Sequence, residues 1–144
     1  MSVGKIVQFE KLAKNIQSLI EESISMRSVA YCPYSNFQVG AALLTKKGTV
    51  FTGCNIENAA YGVSICAERT ALVKAVSSRE KEFAVIAVSA EMAGGKITSP
   101  CGECRQFISE FAKNGDIELY LTTPDKGKIL QTSIYEILPL GFGF

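Results

Sequence analysis

The sequence predicts an α/β fold: a single domain over residues 1–144, with a mixed β-sheet of about five strands covered by helices, an α-β-α sandwich. Three observations predict it. Helical and extended patterns alternate in the order α-β-β-α-β-α-β-β-α, the signature of a sheet flanked by helices. Phe83 to Ala90 is apolar but for Ser89, as expected of a strand covered on both faces. The chain has 144 residues, 47% hydrophobic and 20% charged, which is enough for one good core. No internal repeat, linker or low-complexity segment divides it.

Taking the elements in order, Phe9, Leu12, Ala13, Ile16, Leu19 and Ile20 recur at helical spacing, which predicts an amphipathic helix over residues 7–25. Tyr31-Cys32-Pro33-Tyr34-Ser35-Asn36 ends that pattern with a proline and turn formers. Phe37 to Leu44 reads as a buried strand, Lys46-Lys47-Gly48 as a turn, and Thr49 to Cys54 as the antiparallel partner. Asn55 to Ser64 has no periodicity and reads as a loop. Cys66 to Ser77 reads as a helix with Ser64 as its N-cap. After the Phe83 to Ala90 strand and a loop over 91–98, Ser99 caps and Pro100 opens another helix, with Phe107, Ile108 and Phe111 turned inward and a stop at Asn114-Gly115. Ile117 to Thr122 is a strand, Pro124 to Gly127 a turn, a short strand lies near Ile129, and Ile134 to Leu138 is a brief helix before the tail.

Composition narrows the function. The net charge of +1 gives no footprint for a nucleic acid polymer or an anionic membrane, and suits a small, nearly neutral ligand. No apolar run approaches the ~18 residues of a membrane span. Met1-Ser2-Val3-Gly4-Lys5 lacks a signal-peptide core, so a cytoplasmic location is expected. Five cysteines in a reducing compartment point to metal or catalysis over disulfides, and an odd count weakens a fully paired framework. The chain has no histidine. Any metal site is therefore built from thiolates and carboxylates, and any proton shuttle from something other than imidazole.

Two stretches carry the chemistry: Ile65-Cys66-Ala67-Glu68-Arg69-Thr70 and Ser99-Pro100-Cys101-Gly102-Glu103-Cys104-Arg105. Each reads as a helix opening, where free N–H groups and the helix dipole favour thiolate over thiol. Cys101 and Cys104, three apart, share one side of their helix. With Cys66 facing them, three sulfurs would hold one small divalent cation and leave its fourth position open, the layout of a catalytic zinc site. A lone CxxC is also compatible with a redox dithiol or two buried cysteines. Glu68 is a first-turn glutamate, commonly a surface residue, but beside an activated water it is a proton carrier. Glu103, between the paired cysteines, points away from the sulfurs and reads as structural. Three thiolates on a dication leave net negative charge, which Arg69 could offset by donating to a ligand sulfur. Its plainer alternative is a surface ion pair with Glu68, Glu80 or Glu82. Cys32 and Cys54 lack ligand spacing and read as small buried residues.

At these residues the chain resembles the small, three-cysteine form of the zinc-dependent cytidine deaminases. The resemblance also runs through Tyr31-Cys32-Pro33-Tyr34-Ser35-Asn36-Phe37, Val39-Gly40-Ala41-Ala42-Leu43, Gly53-Cys54-Asn55-Ile56-Glu57-Asn58-Ala59 and Pro100-Cys101-Gly102-Glu103-Cys104-Arg105-Gln106. It implies one zinc ion on Cys66, Cys101 and Cys104, with Glu68 as proton shuttle. It implies that Phe37 stacks on a pyrimidine and that Asn55 and Glu57 hydrogen-bond a ribose. Ala59, Tyr61 and Phe142 would line sites across the subunit boundaries of a homotetramer. The implied reaction is hydrolysis of the 4-amino group of free cytidine or deoxycytidine to uridine or deoxyuridine, in pyrimidine salvage. From the residues alone, Asn55-Ile56-Glu57 puts two polar groups on one side of an extended segment, and a phenylalanine at a strand start, like Phe37, is usually core.

Three rivals share parts of this pattern. A deaminase of another aminopyrimidine, such as blasticidin S, has the same Cys-x-Glu and Pro-Cys-x-x-Cys elements. A structural zinc protein would close the site with a fourth ligand. An inactive nucleoside-binding module would have no need of Glu68.

Overall fold

The computed structural model describes residues 3–144; Met1 and Ser2, which open the segment read above for a leader, lie outside them. The strands are β1 (Lys5–Val7), β2 (Val39–Thr45), β3 (Val50–Cys54), β4 (Phe83–Ala90), β5 (Glu118–Thr122) and β6 (Ile129–Ser133). The α-helices are α1 (Lys14–Met26), α2 (Ala67–Ser77), α3 (Gly102–Ser109) and α4 (Ile134–Ile137). The strands form one mixed sheet in the order β1-β6-β5-β4-β2-β3, parallel only between β4 and β5.

The sheet has two apolar faces because β4 alternates its side chains between them. Ile86 and Val88 join Ala67, Ala71 and Leu72 of α2, Ile108 of α3 and Leu119 and Leu121 of β5 in one core. Val85 and Ala87 face the other way, against Ile16, Leu19 and Ile20 of α1 and Tyr120 of β5. Two glycines let the helices press this close. A Cβ on Gly40 would lie 1.9 Å from Ser23 O of α1, and one on Gly53 would lie 2.4 Å from Ala67 O and 2.5 Å from Ala71 N of α2. Gly53 thus fixes the depth at which the first turn of α2 sits on the sheet.

The sandwich is as expected, with these differences. The sheet has six strands, because β1 adds antiparallel to β6 through Lys5↔Gln131 and Val7↔Ile129. An edge strand of three residues with Ile6 66% exposed leaves no burial pattern to read. The helix expected over 7–25 begins only at Lys14; Phe9–Lys11 is a 3₁₀ turn, tied down by Gln17 Nε2 donating to Phe9 O at 2.9 Å. Phe9 and Leu12 pack against the α1 cluster from outside the helix, which mimics its spacing. Ser64 does not cap α2, since its Oγ accepts from Asn58 N at 3.0 Å. Ser99 and Pro100 precede α3 instead of opening it, and Ser99 Oγ accepts from Arg105 Nη2 at 2.9 Å. Phe107 is not inward but 37% exposed, whereas Phe111 packs edge-on against Phe83 at 5.1 Å.

Candidate metal centre and active site

Cys66 is the N-cap residue of α2 and Cys101 the N-cap residue of α3. Neither makes a side-chain capping bond, so both sulfurs are left for other partners at the openings of two helices. Cys104 follows in the first turn of α3, buried, while Cys66 is half-buried and Cys101 exposed. The three Sγ atoms lie within 4.8 Å of one another, and Cys66 Sγ is 3.8 Å from Cys101 Sγ.

That spacing fits zinc. Sulfurs bound tetrahedrally at about 2.3 Å from the ion are about 3.8 Å apart. The protonation of the cluster points the same way. A hydrogen bond from Cys104, together with Arg69 and Cys101, brings the Cys66 thiol down to about 5. The Cys66 thiolate, and burial, push Cys104 up. Sulfurs crowded enough to share protons are a donor set for a cation. Among the described residues this is the one group of three or more cysteine or acidic side chains close enough to hold a metal.

Glu68 is in the first turn of α2, 4% exposed, and burial pushes its carboxyl up to about 7. Its pKa sits where a group can both take and give a proton near neutrality. Arg69 Nη2 lies 3.7 Å from Cys66 Sγ and 3.1 Å from Glu103 Oε2. The acidic partner of Arg69 is thus Glu103, not Glu68, Glu80 or Glu82. Glu103, expected to be structural, enters this ion pair.

The sequence region read as a patternless loop is braced. Ile56 bridges Tyr31 on one side and Ile65 on the other, with Ile56 N donating to Ile65 O at 2.9 Å and Ile65 N to Ile56 O at 3.0 Å. The antiparallel Ile56–Ile65 pair therefore sets Asn55 opposite Cys66 and Glu57 opposite Ser64, a placement that only the long-range pairing reveals. Asn55 Nδ2 donates to Phe37 O at 2.7 Å and its Oδ1 accepts from Val39 N at 2.9 Å. Glu57 Oε1 accepts from Tyr34 N and Ser35 N, both at 3.1 Å. Hydrogen bonding from Ser35, its hydroxyl foremost, and from the Tyr34 amide holds the Glu57 carboxyl below its usual range. Asn36 turns the chain at φ +57°, and Phe37, half-buried, reaches the core beside α2.

Ala59, Tyr61 and Phe142 are not brought to the sulfurs in this way. Ala59 is exposed, and Tyr61 is 74% exposed with its ring edge-on to Tyr34 at 6.0 Å. Phe142 is clamped by Gln106, which donates to Phe142 O at 2.8 Å and accepts from Phe142 N at 2.9 Å. Gln106 lies two residues past Cys104, on the opposite side of α3. Cys32 is buried as expected, but Cys54 is half-buried, its thiol directed to Val29 O at 3.6 Å. A cleft of about 610 Å³ between Glu91–Gly95 and Thr123–Lys128 shares no lining residue with the triad.

Residues 13–117 match the family described as the cytidine and deoxycytidylate deaminase zinc-binding region. The chain is 50% identical over 128 residues to a cytidine deaminase of Sporosarcina psychrophila, covering 89% of this chain and 91% of that protein. A blasticidin-S deaminase of Bacillus cereus is 36% identical over 110 residues, covering 72% and 76% respectively. Among solved structures, a cytidine deaminase from Burkholderia pseudomallei superposes with a TM-score of 0.81 at 46% identity, over 91% of this chain and 100% of that one.

Proposed function

This chain belongs to the cytidine and deoxycytidylate deaminase zinc-binding family, and from that premise we propose that it hydrolyses free cytidine and deoxycytidine to uridine and deoxyuridine, releasing ammonia. The observation that carries the reading is the sulfur triad at two helix openings with the buried Glu68 two residues from one of its members. Cys66, Cys101 and Cys104 would hold the zinc. When bound, zinc supplies an electrophilic centre with one open position, at which water becomes a nucleophile near neutral pH.

The chain's own residues handle the protons. Glu68 takes a proton from the attacking water and delivers it to N3 of the cytosine as C4 is attacked. It then carries the remaining hydroxyl proton to the 4-amino group, which leaves as ammonia. Arg69 donates to Cys66 Sγ and draws off part of the negative charge that three thiolates impose. Phe37 stacks on the base, and Asn55 and Glu57 hold the ribose with the capacity their loop bonds leave over: one Nδ2 hydrogen on Asn55 and Oε2 on Glu57.

A nucleoside, not a nucleotide, suits these walls, because residues 31–39 and 55–65 contain no lysine or arginine to meet a phosphate. The ribose contacts favour cytidine over blasticidin S. We place the protein in pyrimidine salvage in the cytoplasm, as a homotetramer in which Ala59, Tyr61 and Phe142 complete the sites of neighbouring copies. Support for assembly comes from Phe107 on α3 and from Leu140, Phe142 and Phe144, which are 94%, 70% and 110% exposed. Sedimentation at four times the 15.5 kDa chain mass checks it. No helix among the described residues is long and apolar enough to cross a membrane.

The test is ammonia release from cytidine and from CMP by purified protein, before and after zinc chelation. Turnover of cytidine, lost on chelation and restored by zinc, is expected, with CMP a poor substrate. Bound zinc without release from cytidine would favour a structural zinc protein, and equal rates on CMP would overturn the nucleoside assignment.

A further inference from the structure

We propose that Glu103 is a positioning residue for the metal centre, holding the Arg69 guanidinium in the orientation that donates to Cys66 Sγ; this rests on the reading that Arg69 serves that sulfur. Arg69 is the third residue of α2, where the helix dipole disfavours a cation. Its side chain is 19% exposed and its Nε is buried without a partner. A guanidinium kept there is held by the anions facing it, and two do so through the same nitrogen. Nη2 is 3.1 Å from Glu103 Oε2 and 3.7 Å from Cys66 Sγ. That nitrogen has two hydrogens in the plane of a rigid fork, so engaging one with the carboxylate directs the other.

Glu103 reaches Arg69 from a different helix. It stands in the first turn of α3, where the dipole favours an acid, between Cys101 and Cys104. The chain acid–guanidinium–sulfur therefore links the openings of α2 and α3, the two elements that supply the ligands. The Glu103 side chain is 77% exposed, so water screens its charge and its direct field at the sulfur is weak. Orientation of Arg69, not neutralisation, is what remains for it to contribute.

Zinc affinity, measured by competition with a chromophoric chelator, tests this in wild type, Glu103→Ala, Glu103→Gln, Arg69→Ala and the Glu103→Ala/Arg69→Ala double variant, with circular dichroism confirming each fold. Glu103→Ala is expected to weaken zinc binding by about three- to fivefold, the scale of an exposed ion pair. Glu103→Gln, whose amide oxygen still accepts from Nη2, should retain most of the affinity. In the Arg69→Ala background Glu103→Ala should cost nothing further. Wild-type affinity in Glu103→Ala alongside a loss in Arg69→Ala overturns the proposal and leaves the role of Arg69 standing. No loss in Arg69→Ala overturns both. Tighter binding in both Glu103 variants, or an additive loss in the double variant, overturns the positioning role.

Discussion

Serine, threonine, aspartate and asparagine are the usual N-cap residues because their oxygens accept from free helix N–H groups. Cysteine occupies that position in both α2 and α3, and neither thiol caps. The Cys66-x-Glu68 and Cys101-x-x-Cys104 spacings put this chemistry on view in the sequence, since they need only local helix geometry. Glu57 was harder to read. Its bonds to Tyr34 and Ser35 span more than twenty residues and depend on the Tyr31–Ile56 bridge. Because the folded carboxyl is held below its ordinary value, its contribution is fully present above the unfolded pKa and lost as pH falls through the folded one. Amide exchange at Tyr34 and Ser35 checks this: in Glu57→Ala both lose protection at neutral pH, and wild type loses it only on acidification. Equal protection in the two proteins at neutral pH would contradict it.

At the scale of elements, β4 and α2 were legible because each buries a continuous face, whereas α3, expected to run to Asn114-Gly115 with Phe107 inward, ends at Ser109 and leaves Phe107 exposed. The edge strand β1 was not legible, since three residues, of which only Val7 packs on the core, are too few to show an alternation. Nor was the true start of α1, where Phe9 and Leu12 continue the helical spacing from outside the helix. The role of Gly53 needed the structure as well: only the approach of α2 shows that a Cβ would strike Ala67 O and Ala71 N. Gly53→Ala is expected to cost about 1–3 kcal/mol by overpacking and to lift the α2 opening, weakening zinc binding together with stability. Thermal unfolding and chelator competition on one sample measure both, and an unchanged midpoint with unchanged affinity would refute the role.

For the whole molecule, the α-β-α sandwich followed from element order, while its sixth strand and the pairing order came from contacts distant in sequence. The sheet places β3, β4 and β5 with their C-terminal ends on one edge, and the segments that follow β3 and β4 lead to Cys66 and Cys101. The isolated chain leaves Cys101, Tyr61 and Phe142 exposed, as the proposed completion of sites by neighbouring copies requires. The reading as a whole gives binding of zinc to the sulfurs and movement of protons to Glu68, and these two tasks are separable. Zinc content and ammonia release from cytidine, measured on one preparation of Glu68→Gln, separate them. One zinc per chain with release reduced to near background is the expected result; wild-type release, or loss of the zinc itself, would contradict it.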